Sequence, residues 1–306
     1  MTHQNEAVPA VLSSAELAAE TAAAAPEGPR RRSRVLARFL ASAQVRWGIG
    51  ILVFMTLLAV FGGFFAPYSV TEPISTPYAP PGKGLLLGSD QIGRDVFSRV
   101  LAGGAYLAWM APLSAVLSVI VGAAVGMAAA YYRGWTEMIL MRIMDVLLAF
   151  PGMLLALMFV SMLGRSPWLL VLLVVLALIP GVARVIRGAA IPICEREFVL
   201  WSRSVGIPGR KMLIREILPN ITSPLLVELG VRLMWAVGIL ASISFIGYGI
   251  EPPTPDWGLM VSENRSGLTT QPLAVIVPIV MIVLFTVGGN LIAEGGARVI
   301  ARTEGK

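Results

Sequence analysis

Glu228 and Arg232 are spaced to act together: four positions apart, an acid and a base share one face of a helix. They lie in the apolar stretch "LLVELGVRLMWAVGIL". A charge at mid-membrane costs about 2.5–3.5 kcal/mol on insertion scales. These two lie one and two turns beyond Pro224, where that cost is lower, and Arg232 can snorkel toward the interface. A structural ion pair near a helix end is one reading of them. Little else in the chain is arranged for chemistry. The one cysteine, Cys194, and the one histidine, His3, stand far apart, so no intrachain disulfide, Cys–His nucleophile or zinc ligand cluster is available. No G-x-x-x-x-G-K-[ST] stretch occurs, so the chain carries no nucleotide-binding loop of that kind.

The elements that must position these residues are membrane spans. The chain has 306 residues, 56% of them hydrophobic and 14% charged, against roughly 25% charged in a soluble domain. Six apolar runs are long enough, or nearly so, to cross a hydrocarbon core of about 30 Å as helix: Trp47–Phe65, Tyr106–Tyr132, Val146–Leu163, Trp168–Val185, Leu225–Ile250 and Leu273–Ile292. The short alternating segments of a barrel are absent. The expected fold is all-α, a polytopic membrane protein of six transmembrane helices. Residues 1–34, rich in Ala, Glu, Pro and Arg, read as a disordered cytoplasmic tail, and residues 35–306 as the transmembrane domain. That domain has an outer loop at about 67–105 and a polar interruption at about 190–222. With both termini in the cytoplasm, eighteen of the 24 Lys and Arg fall inside and five (Lys83, Arg94, Arg99, Arg165, Arg265) outside, Arg232 being within a span. Positive charge favours the cytoplasmic side, so the net charge of +6 reads as topology and not as a nucleic-acid surface.

The interruption, "REFVLWSRSVGIPGRKMLIREILPN", is unusually structured. Cys194, Phe198, Trp201 and Val205 fall at i, i+4, i+7 and i+11, an apolar helical stripe. Gly206 permits a turn, and Pro208 suits the first position of a second helix. Leu213, Ile214, Ile217 and Leu218 give that helix an apolar side, and Pro219 opposes its continuation. An interfacial loop whose charges obey the positive-inside rule accounts for the basic residues. It does not account for the stripe, the break and the second helix, which suit a docking surface for a cytoplasmic partner.

The interruption resembles the EAA loop of ABC-importer permeases, in its Gly206 and its Ile217-Leu218-Pro219-Asn220 ending. "LGSDQIGRDVFSRVLAGG", "MRIMDVLLAFPGMLLAL" and "SFIGYGIEPPTPDWGLMVSENR" are similar to stretches of one branch of that family, the C-type permease subunit of dipeptide, oligopeptide and nickel importers. The four motifs occur in the family's order over roughly residues 45–295. Leu200-Trp201-Ser202 stands where the family usually has Glu-Ala-Ala, Leu240 where it often has Glu, and the common C-terminal Asp-Pro-Arg is missing.

The resemblance implies a permease subunit of a prokaryotic plasma membrane importer for di- or oligopeptides. It implies a second permease lining the path and two cytoplasmic ATPases holding ATP and Mg, with no cofactor or metal on this chain. It also implies an external substrate-binding protein, and no nucleic-acid partner. Phe198, Trp201, Gly206, Pro208, Arg210, Leu218 and Pro219 are then expected to form the ATPase-coupling loop. Glu228 and Arg232 become candidates for lining the path, where they could meet the charged ends of a zwitterionic peptide. Rival readings are an importer of nickel chelates, haem or another solute, an intramembrane enzyme, and a stand-alone secondary transporter. Ser114, Ser118, Gly122, Gly126, Ala130 and Gly134 recur every four residues along span two, a groove that lets another helix approach closely. Its partner helix can belong to this chain or to the second permease. "EPPTPDWG" reads as a rigid connector or a contact near the external gate. The outer loop with Asp90, Arg94 and Asp95 is equally open, and Ser89 or Asp90 could cap a short helix.

Overall fold

The computed structural model describes residues 40–82 and 84–304, so the expected disordered tail at 1–34 lies outside the described residues. The helices, in chain order, are α1 Ala43–Phe61, α2 Val96–Ala102, α3 Ala105–Tyr132, α4 Gly134–Ala149, α5 Gly152–Leu163, α6 Pro167–Cys194, α7 Glu197–Ser204, α8 Gly209–Met212, α9 Leu218–Asn220, α10 Thr222–Phe245, α11 Trp257–Asn264 and α12 Leu273–Glu304. A π-helical turn, Leu213–Ile217, joins α8 to α9. No β-strand occurs among the described residues, only two isolated bridges. Five helical stretches are long and apolar enough to cross a membrane, six if α4 and α5 are counted as one bent span.

Span three departs from the straight helix expected over Val146–Leu163. α4 and α5 meet at 77°. Pro151 disfavours the α conformation at the residue before it, and Phe150 is extended at ψ 130°. Two spans also outrun their apolar runs. α6 continues nine residues past Val185 to Cys194, and α12 continues past Ile292 to Glu304. Hydropathy ends a span at its first charges, but a helix ends only where its backbone is capped. On α6, Arg184 pairs with Asp145 of α4 at 2.5 Å, and Arg187 Nε donates to Glu137 of α4 at 2.7 Å. α10 stops at Phe245, five residues short of expectation, because Gly247 takes a left-handed φ of 92° and Tyr248 N–H closes on the Ile243 carbonyl. This is a Schellman stop.

The helices pack through small residues. A Cβ at Gly122 of α3 would lie 2.6 Å from Val182 Cβ of α6, and one at Gly126 would lie 2.5 Å from the Ala183 carbonyl. Ser114, Ser118, Gly122, Gly126 and Ala130 are all buried. The span-two groove therefore holds α6 of the same chain. Gly134 does not belong to it: it opens α4 at φ 55° with nothing within 4 Å of a built Cβ. α10 rests on α12 where Gly230 meets Ala293, and α1 crosses α12 at Gly48 and Gly288. One apolar core fills the bundle from Met55 and Val100 to Leu170, Leu240 and Phe285. A second joins Val119, Met127, Val182 and Ile186 to Val199, Met212, Ile217 and Ile221 of the interruption.

Candidate functional site

The polar interruption folds as a clamped hairpin of short helices. Backbone closure at Glu195 ends α6, so Cys194 is the buried last residue of that helix and not the start of the docking stripe. Within α7, Val199 and Ser202 face inward. Phe198, Leu200, Trp201 and Val205 face outward at 38, 52, 65 and 59% exposure. α7 ends in a Schellman motif: Gly206 N–H donates to the Arg203 carbonyl, Ile207 N–H donates to the Ser202 carbonyl, and Gly206 has φ 79°. Pro208 is the N-cap of α8 and not its first residue, and its carbonyl accepts from the Lys211 and Met212 amides.

Pro219 does not stop the helical path. The π turn at Leu213–Ile217 widens the backbone one turn before it. Such a bulge accommodates a residue that breaks the i to i−4 ladder. The inward residues of this second half are Met212 and Ile217, with Leu213 and Leu218 half-buried; Ile214, expected on the apolar side, is exposed. Arg210 is exposed too.

The hairpin is fastened to the ends of α3 and α6. The Arg203 guanidinium donates to the Tyr131 carbonyl and lies 4.0 Å from the centroid of the Tyr131 ring. A cation there meets both the free carbonyls of a helix C-terminus and an aromatic face. Arg133 pairs with Glu195 at 2.7 Å. A Cβ on Gly209 would fall 2.5 Å from the Tyr132 hydroxyl. Tyr131, Val199, Arg203, Gly209 and Met212 were missed by sequence reasoning. The i+3 spacing of Val199 and Ser202 was the available signal, but a Val and a Ser read less clearly than the Phe–Trp stripe beside them.

Glu228 and Arg232 form the expected pair. Arg232 Nε donates to Glu228 Oε2 at 2.8 Å, with side-chain exposures of 14 and 9% for Arg232 and Glu228. The Arg232 guanidinium lies over Gly181 of α6, where a Cβ would come within 2.8 Å of it. Leu240, two turns outward, is buried in the apolar core.

A second polar cluster sits where "LGSDQIGRDVFSRVLAGG" meets "PDWGLMVSENR". Asp95 caps α2, accepting from Ser98 N–H at 2.8 Å. Ser89 and Asp90, the expected caps, are committed elsewhere. Ser89 Oγ donates to the Thr76 carbonyl, and Asp90 Oδ1 accepts from the Ile92 and Arg94 amides. Asp90, Arg94, Arg99 and Glu263 form one ion-paired group. Trp257 Nε1 donates to the Val100 carbonyl at 2.8 Å, its ring packed on Gly104. Gln91 N–H donates to Asn264 Oδ1 at 3.0 Å. Asp256 caps α11 at the Leu259 amide. Burial pushes the Asp256 and Glu263 carboxyls above their ordinary range. Hydrogen bonds from Leu259, Ser244 and Gly258 oppose this at Asp256, and Arg94 opposes it at Glu263.

Taken together, the hairpin offers an exposed apolar face on a rigid mount, and the membrane part offers one ion pair. Neither is an arrangement of nucleophile, base and oxyanion donors. Residues 119–303 match the family described as binding-protein-dependent transport system inner membrane component. Residues 32–81 match the N-terminal TM domain of oligopeptide transport permease C. The chain is similar to the glutathione transport system permease protein GsiD of Shigella dysenteriae serotype 1, 35% identical over 250 residues that cover 80% of this chain and 81% of the relative. The proteins of that name from Escherichia coli O157:H7 and Shigella sonnei show the same identity and coverage.

Proposed function

We propose a cargo and a mode of action for this chain, which belongs to the family of binding-protein-dependent transport system inner membrane components. It is the multi-pass permease subunit of an ABC importer in the inner membrane, and not an enzyme. Its cargo, on our reading, is a small peptide or peptide-like solute. In support, one stretch is similar to an oligopeptide permease domain, and its relatives are named for glutathione, which is itself a tripeptide. The path would be shared with a second permease. Two cytoplasmic ATPases holding ATP and Mg would drive it, and an external binding protein would deliver the cargo. Both termini would lie in the cytoplasm, following the charge asymmetry.

One observation carries the coupling role: α7 turns Phe198, Leu200, Trp201 and Val205 outward while its inner side is built into the core shared by α3 and α6. A rim-exposed aromatic on a fixed mount suits seating in a partner's groove. A groove that moves the knob would move the ends of α3 and α6 with it, because packed elements shift as bodies. The test uses the membrane complex purified through a tag on this chain. The parent is expected to retain its ATPase subunits and to show uptake driven by the cognate binding protein. Trp201→Asp is expected to insert normally and lose the ATPases, or lose the response of ATP hydrolysis to cargo. Full coupled uptake by Trp201→Asp sinks the docking role, and absence of any ATPase from the parent complex sinks the importer partnership.

A further inference from the structure

Outside the bundle, four charges are withdrawn from water at the junction of two stretches more than 160 residues apart in sequence. Glu263 Oε2 of α11 lies 3.0 Å from Arg94 and 2.8 Å from Arg99. Asp90 Oδ2 lies 2.6 Å from Arg94 and 3.2 Å from Arg99. Asp90 and Arg99 side chains have no exposure, Arg94 has 4% and Glu263 12%. A well-packed apolar cluster of this volume would be at least as stable, because desolvation offsets most of the attraction. What forked guanidiniums add is a fixed relative placement of the groups they bridge.

The bridged groups are the outer loop with α2 on one side and α11 on the other. α2 runs through Gly103 and Gly104 directly into α3. α11 is the next helix after α10, and it is seated on the end of α10, where a Cβ on Gly258 would lie 2.5 Å from the Ala241 carbonyl and 2.8 Å from Ser244 Cβ. At its other end α10 begins immediately after the coupling segment. α10 is thus a single rod with the clamped hairpin at its inner end and the ion quartet beyond its outer end.

We infer that the Asp90–Arg94–Arg99–Glu263 quartet is an outer latch that makes the outer loop and α11 move as one body, so that contact made on the outer face reaches α10 and the coupling segment. This rests on the importer reading above. Arg94, Arg99 and Glu263 act here as positioning residues; none of them has to touch cargo.

The test compares the parent importer, reconstituted with its ATPases and binding protein, with Glu263→Ala and Arg94→Met. The first removes the α11 carboxylate that meets both arginines; the second removes one bridge and keeps the volume. Both are expected to assemble and to hydrolyse ATP at the parent's basal rate. Stimulation by the loaded binding protein is expected to fall at least fivefold in Glu263→Ala, and by less in Arg94→Met. Glu263→Gln, which keeps an acceptor for both guanidiniums, is expected to retain most of the stimulation. A disulfide between Gln91→Cys and Asn264→Cys, placed in the Glu263→Ala chain, is expected to restore the response, and reduction to abolish it again. Parent-like stimulation in an assembled Glu263→Ala or Arg94→Met complex overturns the latch. So does a formed disulfide that restores nothing. A parent complex that is never stimulated by its binding protein strikes the importer reading instead.

Discussion

At the scale of single residues, the Glu228–Arg232 pair shows what a sequence leaves open. The i,i+4 spacing gave the pair, and the structure places its guanidinium over Gly181 of the same chain, inside the α6–α10 contact. No spacing rule could reveal that neighbour, because Gly181 is over forty positions away and carries no side chain. The placement favours a structural pair. Glu228→Gln and Arg232→Gln are each expected to destabilise the purified chain by about 1–3 kcal/mol, by leaving one buried charge unmatched, and the double variant to recover part of that loss. A double-mutant cycle on detergent-solubilised unfolding measures this. Normal stability of both single variants with altered selectivity between charged and neutral peptides would instead place the pair on the path.

Glu263 and Asp256 make a pH prediction at the same scale. Burial raises both carboxyls above their usual values of 4.5 and 3.8. A raised acid contributes stability that is complete below its unfolded pKa and is lost as pH rises through its folded pKa. The outer unit should therefore exchange its α11 amides more slowly as pH falls toward those usual values, after correction for the intrinsic pH dependence of exchange. Glu263→Gln should flatten that slope while keeping α11 protected at pH 7. An α11 protection profile identical in parent and variant across this range would refute it.

At the scale of elements, helices were legible wherever apolar periodicity ran long, and their ends were not. α3 and the start of α12 lie within a residue of expectation. α6 and the far end of α12 outran it because charged side chains ended the apolar pattern while their backbones stayed helical. The polar interruption was legible in its break and partly in its faces. Gly206 announced the turn, but the burial of Val199 and the π turn that carries the chain past Pro219 depend on α3 and α6 being in place. Gly206→Val follows from this. A built Cβ there meets nothing within 4 Å, so the strain is purely of the backbone at φ 79°. A β-branched residue in that region costs about 1–3 kcal/mol locally. Insertion and yield are expected to be unchanged and uptake to be lost; Gly206→Asn, which tolerates the left-handed region better, should retain more uptake than Val. Equal uptake in Val and parent would show that the α7–α8 angle is immaterial.

At the scale of the whole molecule, the family and the all-α architecture were readable from four motifs in order, while the outer cluster was not. Asp90 and Arg94 looked like loop residues because Glu263, the acid that completes their cluster through Arg94 and Arg99, stands beyond four intervening spans. The proposed orientation, with α7 on the cytoplasmic side, rests on charge: eighteen basic residues against five. Cys194 is no probe of it, because its thiol is buried at the end of α6. Exposed positions at the two ends serve instead: Ser204 at the end of α7 and Glu251 in the proline-rich connector are both open to solvent. In a Cys194→Ser chain, Ser204→Cys is expected to react with a membrane-impermeant maleimide in inside-out vesicles only. Glu251→Cys is expected to react in right-side-out vesicles only. α10, the one span between these two residues in the chain, is 24 residues long and rises about 36 Å at 1.5 Å per residue. One membrane crossing must therefore separate them. Labelling of both from the same side would break the six-span arrangement, and the reversed pattern would put the coupling face outside, where no ATP-driven partner could reach it.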